Sequence, residues 1–291
     1  MTASSDSPAT DAPVRTASTR RAALVRRTLV GGGLAGGLAL ALWITAVLDS
    51  RWPALAIGTL LSLLIAFELA AMGGLARRGF LASGLVGLAA ALAVFEFGRD
   101  FSAARELPHW LVVHAAAFAA AALVGVRRPG VLRAGAAATW ALVPLLLLAE
   151  IWTRFGSGGL AALMVLSKIG DIAGYYVGSA IGRHHPFKRL SPGKTTEGCL
   201  ASFLAATAVG PLCLAAGAFP LGTTWLAAAA VGAVTNVAAQ AGDLLESWVK
   251  RRAGVKDSGR TLGPSGGLLD VVDSLLVSVP VALATWPLLL S

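Results

Sequence analysis

Long apolar runs alternate with short polar stretches along almost the whole chain. An α-helix needs about 20 consecutive apolar residues to cross a bilayer, and runs of this kind recur from residue 29 onwards. Residues 1–28 are polar and basic, which predicts a disordered tail. We expect an all-α, polytopic integral membrane protein. The pattern predicts nine membrane-spanning helices, at about 29–48, 54–71, 80–98, 108–126, 131–152, 160–182, 199–217, 223–246 and 267–289.

Composition and charge support this class and add an orientation. Hydrophobic residues make up 56% of the chain and charged residues 13%, whereas soluble domains carry about 25% charged residues. With the N-terminus in the cytoplasm, 19 Lys and Arg residues fall on cytoplasmic segments and four on outer loops. This bias is the one that the positive-inside rule describes. The excess positive charge therefore reflects membrane topology, and we expect no nucleic-acid partner.

The chain changes character near residue 159. The spans of region 29–158 are built mainly from Ala, Leu, Val and Gly, whereas polar residues become frequent in the spans of region 159–291. The second region also contains two cytoplasmic loops, 183–198 and 247–266, and is predicted to carry the chemistry. Three carboxylates of the first region are interpreted as structural or interfacial: Glu68, Glu96 and Glu150.

The eighth span carries a stripe of polar residues on an otherwise apolar helix. Asn236, Gln240, Asp243 and Ser247 recur at i, i+4, i+7 and i+11, and therefore share one face. Glu246 adds a second carboxylate one turn beyond Asp243. Ionisable residues inside a membrane are costly and usually face a polar cavity or a partner. We predict that this stripe lines a water-filled cavity.

The sixth span combines small residues with a candidate site. A glycine stripe of this kind predicts close approach of a neighbouring helix. Asp171 and Tyr175 form an i, i+4 pair, and Lys168 lies one turn before them. Asp171 is predicted to be a site residue, with a Lys168–Asp171 ion pair between helices as the alternative. The stripe consists of Gly170, Gly174, Gly178 and Gly182.

Acidic residues meet basic, glycine-rich loops at the start of the ninth span. Asp270 and Asp273 are three residues apart, which predicts that they share one face of a helix. The loop before them is cationic and rich in glycine, and loop 183–198 supplies Lys194 and Thr195. Backbone and hydroxyl donors of such loops cradle phosphates, and Mg²⁺ favours a few carboxylates together with phosphate oxygens. The pattern suggests a divalent metal that holds a polyphosphate.

Three stretches, in this order, resemble the motifs of the phosphatidate cytidylyltransferases (CDP-diacylglycerol synthases). They are DIAGYYVGSAIGRHHPFKRLSPGKTTEG, GDLLES, and SWVKRRAGVKDSG followed by GGLLDVVD. The resemblance covers residues 168–275 in detail. The chain departs from the family at Ser265, where His is usual, and at Val271, where Arg is usual. Gly263-Pro264 stands where the family has Pro-Gly.

The resemblance implies transfer of the CMP moiety of CTP to phosphatidic acid, which gives CDP-diacylglycerol and pyrophosphate. This step of phospholipid biosynthesis would take place at the cytoplasmic face of the cell (inner) membrane, with Mg²⁺ as cofactor and a second cation also allowed. The implied catalytic residues are Asp243, Asp270, Lys256 and Asp171. The implied substrate-binding residues are Lys194, Thr195, Ser247, Lys250, Arg251, Gly266, Gly267 and Tyr175. The implied metal ligands are Asp243, Asp270, Glu246 and Asp273.

Other interpretations stay open at the level of sequence. A related CTP-dependent transferase or lipid kinase with another lipid acceptor would keep the same acidic site. An inactive paralogue is a second alternative, because Val271 replaces a cation in the best-defined motif. A transporter is a third, although the polar features cluster in the last spans rather than in both halves. The small-residue faces of the early helices are also compatible with a homodimer.

Overall fold

The computed structural model describes residues 43–72, 77–97, 109–125, 129–259, 261–262 and 266–290, together with Gly37 and Leu40. Within these ranges the chain forms helices joined by turns and loops, and no strand occurs. The all-α prediction is therefore confirmed for the described part. The predicted tail at 1–28 and most of the predicted first span lie outside the described residues.

Eight of the predicted spans correspond to helices. Residues 43–47, at the end of the first predicted span, are helical as well. The helices are α1 (Trp52–Met72), α2 (Arg77–Phe97), α3 (His109–Gly125), α4 (Pro129–Leu146), α5 (Leu148–Ile181), α6 (Thr196–Ala215), α7 (Trp225–Arg252), α8 (Leu269–Val272) and α9 (Leu275–Leu289). A single residue, Leu147, separates α4 from α5.

Membrane-spanning character is clear for part of this set. In the described chain, four stretches are long and apolar enough to cross a membrane: Trp52–Met72, Gly135–Ile181, Thr196–Ala215 and Leu269–Leu289. Two shorter apolar helices occur at Leu81–Phe95 and Leu111–Ala121. Helix α7 is 28 residues long, but its polar stripe lowers its mean hydropathy. The fold is that of a helical membrane protein, and the number nine stays a prediction.

Helix α5 consists of two helical segments that meet within the boundary predicted between the fifth and sixth spans. It covers 34 residues in all, and the segments meet at Gly156, whose backbone (φ 68°, ψ −172°) is accessible mainly to glycine. Just before the bend, Arg154 Nε lies 2.8 Å from Glu150 Oε1. Glu150 thus has a cation four residues along the same helix, in keeping with its structural interpretation.

Helices α5, α6 and α7 pack side by side, and α9 lies against α4, α5 and α7. The α6–α7 contact depends on glycine, since a Cβ at Gly232 would lie 2.2 Å from the Ala206 carbonyl oxygen. The predicted role of the α5 glycine stripe is confirmed, because a Cβ at Gly174 would lie 3.1 Å from the Gly198 carbonyl oxygen. This close packing of backbones brings the polar faces of α5, α6 and α7 together at one end of the bundle.

Candidate active site

A polar cavity of about 310 Å³ opens between α5, α6, α7 and the junction of α8 with α9. Its walls combine lysines and carboxylates with glycines that expose backbone. Seven residues predicted for the site meet here: Asp171, Tyr175, Lys194, Thr195, Asp243, Asp270 and Asp273. The helices that supply them are far apart in sequence, so the cavity exists only through the packing of the bundle.

Three carboxylates form a tight cluster beside this cavity. Oxygen atoms of Asp243, Glu246 and Asp273 all lie within 4.8 Å of one another. Asp243 and Glu246 come from successive turns of α7, and Asp273 comes from the turn between α8 and α9. Gly242 makes the approach possible, because a Cβ there would lie 2.5 Å from the Asp273 carbonyl oxygen.

Substituting this glycine tests the packing. We expect Gly242→Ala to push the α8–α9 turn away from α7, since a methyl group cannot be accommodated 2.5 Å from a backbone oxygen. The variant should unfold at a lower temperature than the wild type and bind divalent cations more weakly, as measured by thermal denaturation with and without added Mg²⁺. Ala241→Val adds bulk at the neighbouring exposed position of α7 and should change neither property. Equal Mg²⁺ stabilisation in Gly242→Ala and wild type would contradict this role.

Lysines lie against the clustered carboxylates. Lys194 Nζ is 2.7 Å from Asp243 Oδ2. Lys168 Nζ is 3.5 Å from Asp273 Oδ1 and 3.6 Å from Asp171 Oδ2, and it donates a hydrogen bond of 2.6 Å to the carbonyl of Val271. The predicted Lys168–Asp171 pair exists, but Lys168 also joins α5 to the α8–α9 junction.

A third lysine links the cluster to the last candidate ligand. Lys250 Nζ lies 2.7 Å from both Glu246 Oε2 and Asp270 Oδ1. Lys250 follows the predicted end of the eighth span. Burial lowers the pKa of Lys250, but its contacts with Asp270 and Glu246 outweigh burial and raise that pKa above its ordinary value. The ammonium group therefore remains charged between the two carboxylates.

Asp270 is held by the loop that precedes it. Its Oδ2 accepts hydrogen bonds from the amides of Gly267 (2.6 Å) and Ser258 (3.0 Å), and from the Ser258 hydroxyl (3.0 Å). Gly266 has φ 89°, and a Cβ there would lie 2.3 Å from the same oxygen. Gly266 and Gly267, both predicted as site residues, thus allow the loop to close around this carboxylate.

Asp270 and Asp273, which are predicted to share one helical face, both line the cavity. Helix α8 ends at Val272, and a turn at Asp273 and Ser274 separates it from α9. Lys168 Nζ donates a hydrogen bond to the Val271 carbonyl in this region. Asp270 consequently faces Lys250 and Ser258, whereas Asp273 faces Lys168 and the α7 carboxylates.

The other predicted substrate-binding residues occupy varied positions. Thr195 is the N-cap of α6 and accepts a bond of 3.1 Å from the Gly198 amide. Tyr175 is exposed on the rim, and Ser247 is buried away from the lining. Arg251 Nε donates to the Leu190 carbonyl at 3.4 Å, which ties the two loops together. Lys256 is exposed on the second loop.

The α7 stripe only partly lines the cavity. Gln240 and Asp243 do so, but Asn236 is buried and donates a bond of 3.0 Å to the hydroxyl of Ser202 on α6. Its Oδ1 accepts a bond of 2.7 Å from Gln240 Nε2. This end of the stripe joins two helices, as polar residues often do in membranes.

The charges of the site fit a divalent cation. Three ammonium groups, of Lys168, Lys194 and Lys250, face five carboxylates, which leaves an excess of two negative charges when all are ionised. Glu246 is buried; its Oε1 lacks a close hydrogen-bond donor in the described structure, and its Oε2 forms an ion pair with Lys250. Unpaired carboxylate oxygens are the donors that hard cations such as Mg²⁺ prefer. The five carboxylates are Asp171, Asp243, Glu246, Asp270 and Asp273.

A helical membrane protein with clustered carboxylates and lysines in one cavity is suited to phosphate-bearing substrates that bind together with a cation. Residues 26–289 match the sequence profile of the cytidylyltransferase family. Because the match extends over most of the chain, the protein belongs to this family.

Individual relatives match the chain over shorter stretches. The phosphatidate cytidylyltransferase of Mycobacterium leprae is 35% identical over 139 residues, which are 48% of this chain and 43% of the relative. The phosphatidate cytidylyltransferase of Brucella suis is 43% identical over 108 residues, 37% of this chain and 39% of the relative. The uncharacterized protein YnbB of Escherichia coli is 39% identical over 123 residues, 41% of this chain and 39% of that protein. The matched stretches therefore span about two fifths of these relatives.

Proposed function

We propose that this protein transfers the CMP moiety of CTP to phosphatidic acid, releasing pyrophosphate and forming CDP-diacylglycerol. The observation that carries the proposal is the cluster of Asp243, Glu246 and Asp273 beside a cavity walled by lysines. Membership of the cytidylyltransferase family supports a nucleotide and a lipid as substrates. Two of the relatives are named phosphatidate cytidylyltransferases, which supports phosphatidic acid as the acceptor.

The reaction suits a site without a nucleophilic side chain. The attacking group is the phosphate of the lipid, which is anionic at neutral pH and needs no activation by a base. The barrier comes from repulsion between anions and from the charge that develops on the leaving pyrophosphate. Lys194 and Lys168 line the cavity, where their ammonium groups can bind phosphate oxygens and stabilise this charge.

The carboxylates have a separate role. Asp243, Glu246 and Asp273 would hold Mg²⁺, which when bound supplies positive charge to the phosphates and stabilises the leaving group. Asp270 remains a predicted ligand, and in this structure its oxygens face Lys250, Ser258 and Gly267. Asp171 lies next to Lys168 and balances its charge. Lys250, Arg251 and Lys256, on the second loop, would neutralise the triphosphate of CTP or the phosphate of the lipid.

The orientation that we propose for the protein in the membrane follows from the distribution of its basic residues. The cavity lies at the end of the bundle that carries loop 183–198 and the basic loop after α7. Those loops belong to the side that the positive-inside rule assigns to the cytoplasm. We infer a site that faces the cytoplasm, where CTP is present, with phosphatidic acid entering from the cell membrane. The small-residue helices of region 29–158 remain candidates for a homodimer contact.

A transfer assay tests the proposal directly. The purified protein in detergent receives phosphatidic acid, labelled CTP and Mg²⁺, and both the nucleotide-linked lipid and pyrophosphate are followed. We expect metal-dependent product from the wild type, none with EDTA, and none from Asp270→Asn. Product from another phosphorylated lipid but not from phosphatidic acid would identify a related transferase. The absence of any product from folded protein would contradict the proposal and favour an inactive paralogue, in keeping with Ser265 and Val271.

A further inference from the structure

One buried carboxylate outside the cavity contacts the loop that shapes it. Glu68 lies near the end of α1 and is 8% exposed. Its Oε1 accepts hydrogen bonds from the amide of Leu268 (2.7 Å) and from the hydroxyl of Thr261, and its Oε2 accepts one from the amide of Leu269 (3.0 Å). All three partners lie about 200 residues further along the chain, in the segment leading into α8.

The Glu68 and Asp270 carboxylates meet at a single serine. The Ser258 hydroxyl lies 3.2 Å from Glu68 Oε2 and 3.0 Å from Asp270 Oδ2, while the Ser258 amide donates to Asp270. Ser258 is buried, so its hydroxyl has little access to other partners. Ser258 is therefore held from both sides, by Glu68 and by Asp270.

Two glycines in the loop make room for Glu68. A Cβ at Gly267 would lie 2.5 Å from Glu68 Oε2 and 2.1 Å from the Ser258 hydroxyl oxygen. A Cβ at Gly259 would lie 3.2 Å from Glu68 Oε1. The close approach of the backbone on two sides shows that the loop is shaped around this carboxylate as well as around Asp270.

We propose that Glu68 is a positioning residue, which holds Ser258, Thr261 and the backbone of 268–269 so that Asp270 faces Lys250 and the cavity. A carboxylate suits this place because it only accepts hydrogen bonds, and its neighbours here are all donors. An amide would turn an NH₂ group toward one of these donors, and an alanine would leave two buried backbone amides without partners. The catalytic part of this inference rests on the proposed function.

Hydrogen exchange of the full-length protein tests the contact without any assay of activity. In Glu68→Gln, the amides of residues 258–269 should exchange at least about tenfold faster than in the wild type, while those of α6 remain unchanged. Glu150→Gln is the matched control, because it changes a second buried carboxylate that contacts Arg154 rather than the loop. It should leave exchange at 258–269 as in the wild type. Unchanged exchange at 258–269 in Glu68→Gln would overturn the inference.

Kinetics separate positioning from general loss of structure. We expect kcat of Glu68→Gln to fall at least about tenfold, with a higher Mg²⁺ concentration for half-maximal rate and a nearly unchanged KM for CTP. Faster loop exchange with normal kcat would overturn the positioning role. The wild type could also transfer no CMP although Glu68→Gln speeds exchange at 258–269. This result would contradict the proposed function and the catalytic role of Glu68, but it would support the contact between Glu68 and the loop. The side chain in Glu68→Asp is one methylene shorter but keeps its charge. The exchange rate at 258–269 in this variant should lie between those of the wild type and Glu68→Gln.

Discussion

Asp243→Asn should reduce CMP transfer by at least about 10²-fold while leaving the protein folded. Asp243 belongs to the carboxylate cluster and is the partner of Lys194. Removing its charge takes one ligand from the predicted metal site and frees Lys194 from its only short ion pair in the described structure. Losses of this size follow when one electrostatic contact to the transition state is removed. The measurement is the rate of CDP-lipid formation at saturating CTP over a range of Mg²⁺ concentrations.

A chemically identical change elsewhere controls for this variant. Asp49 is exposed in the turn before α1 and has φ 43°, a conformation that Asn tolerates well. It lies at the opposite end of α1 from Glu68, and therefore far from the cavity. Asp49→Asn should retain wild-type activity. Normal transfer by both Asp243→Asn and Asp273→Asn would remove the assignment of the cluster as the metal site.

Lys250→Met should destabilise the folded protein by about 3–5 kcal/mol and abolish transfer. The lysine lies between Glu246 and Asp270, and the Glu246 side chain is 1% exposed. Removing a buried cation leaves carboxylates without compensation, which costs free energy of this order. The change in stability is measured from thermal or denaturant unfolding in detergent.

Comparison with an exposed lysine shows whether burial causes the effect. Lys188 lies in the first loop and is exposed, so Lys188→Met should alter the free energy of unfolding by less than about 0.5 kcal/mol. Added Mg²⁺ should recover part of the stability lost in Lys250→Met, because a cation bound to Glu246 replaces some of the missing charge. Equal stability of the two variants would show that the Lys250 pairs do not contribute to folding.

Much of the fold could be predicted from apolar periodicity alone. The spans from 54 onwards correspond to described helices, because about 20 apolar residues have few other stable conformations in a membrane. The turn between α8 and α9 could not be predicted from the sequence. Gly242 packs against Asp273 and Ser274, and Lys168 donates a hydrogen bond to the Val271 carbonyl. Contacts over such separations cannot be read from the local sequence of the ninth span.

The candidate site shows a similar division. Asp243 and Asp273 were predicted because ionisable residues are rare in membrane helices and therefore conspicuous, and Lys194 was predicted because it lies in a basic loop rich in hydroxyl groups. Lys168 was recognised as a partner of Asp171, but its contact with Asp273 joins residues 105 positions apart. Glu68 looked like one isolated carboxylate among apolar residues, since its partners are about 200 positions away. Patterns in sequence reveal neighbours on one helix, whereas these contacts arise only when the bundle assembles.

The contact from Glu68 also bears on how this protein can be taken apart. The sequence suggests a featureless first half and a second half that carries the chemistry. On that view, the second half could be moved into another protein as an independent unit. Yet α1 supplies the carboxylate that accepts hydrogen bonds from the loop before α8. A chimera or a minimal version of the protein should therefore keep α1 and the segment 258–269 from the same parent, because they form one structural unit despite their separation along the chain.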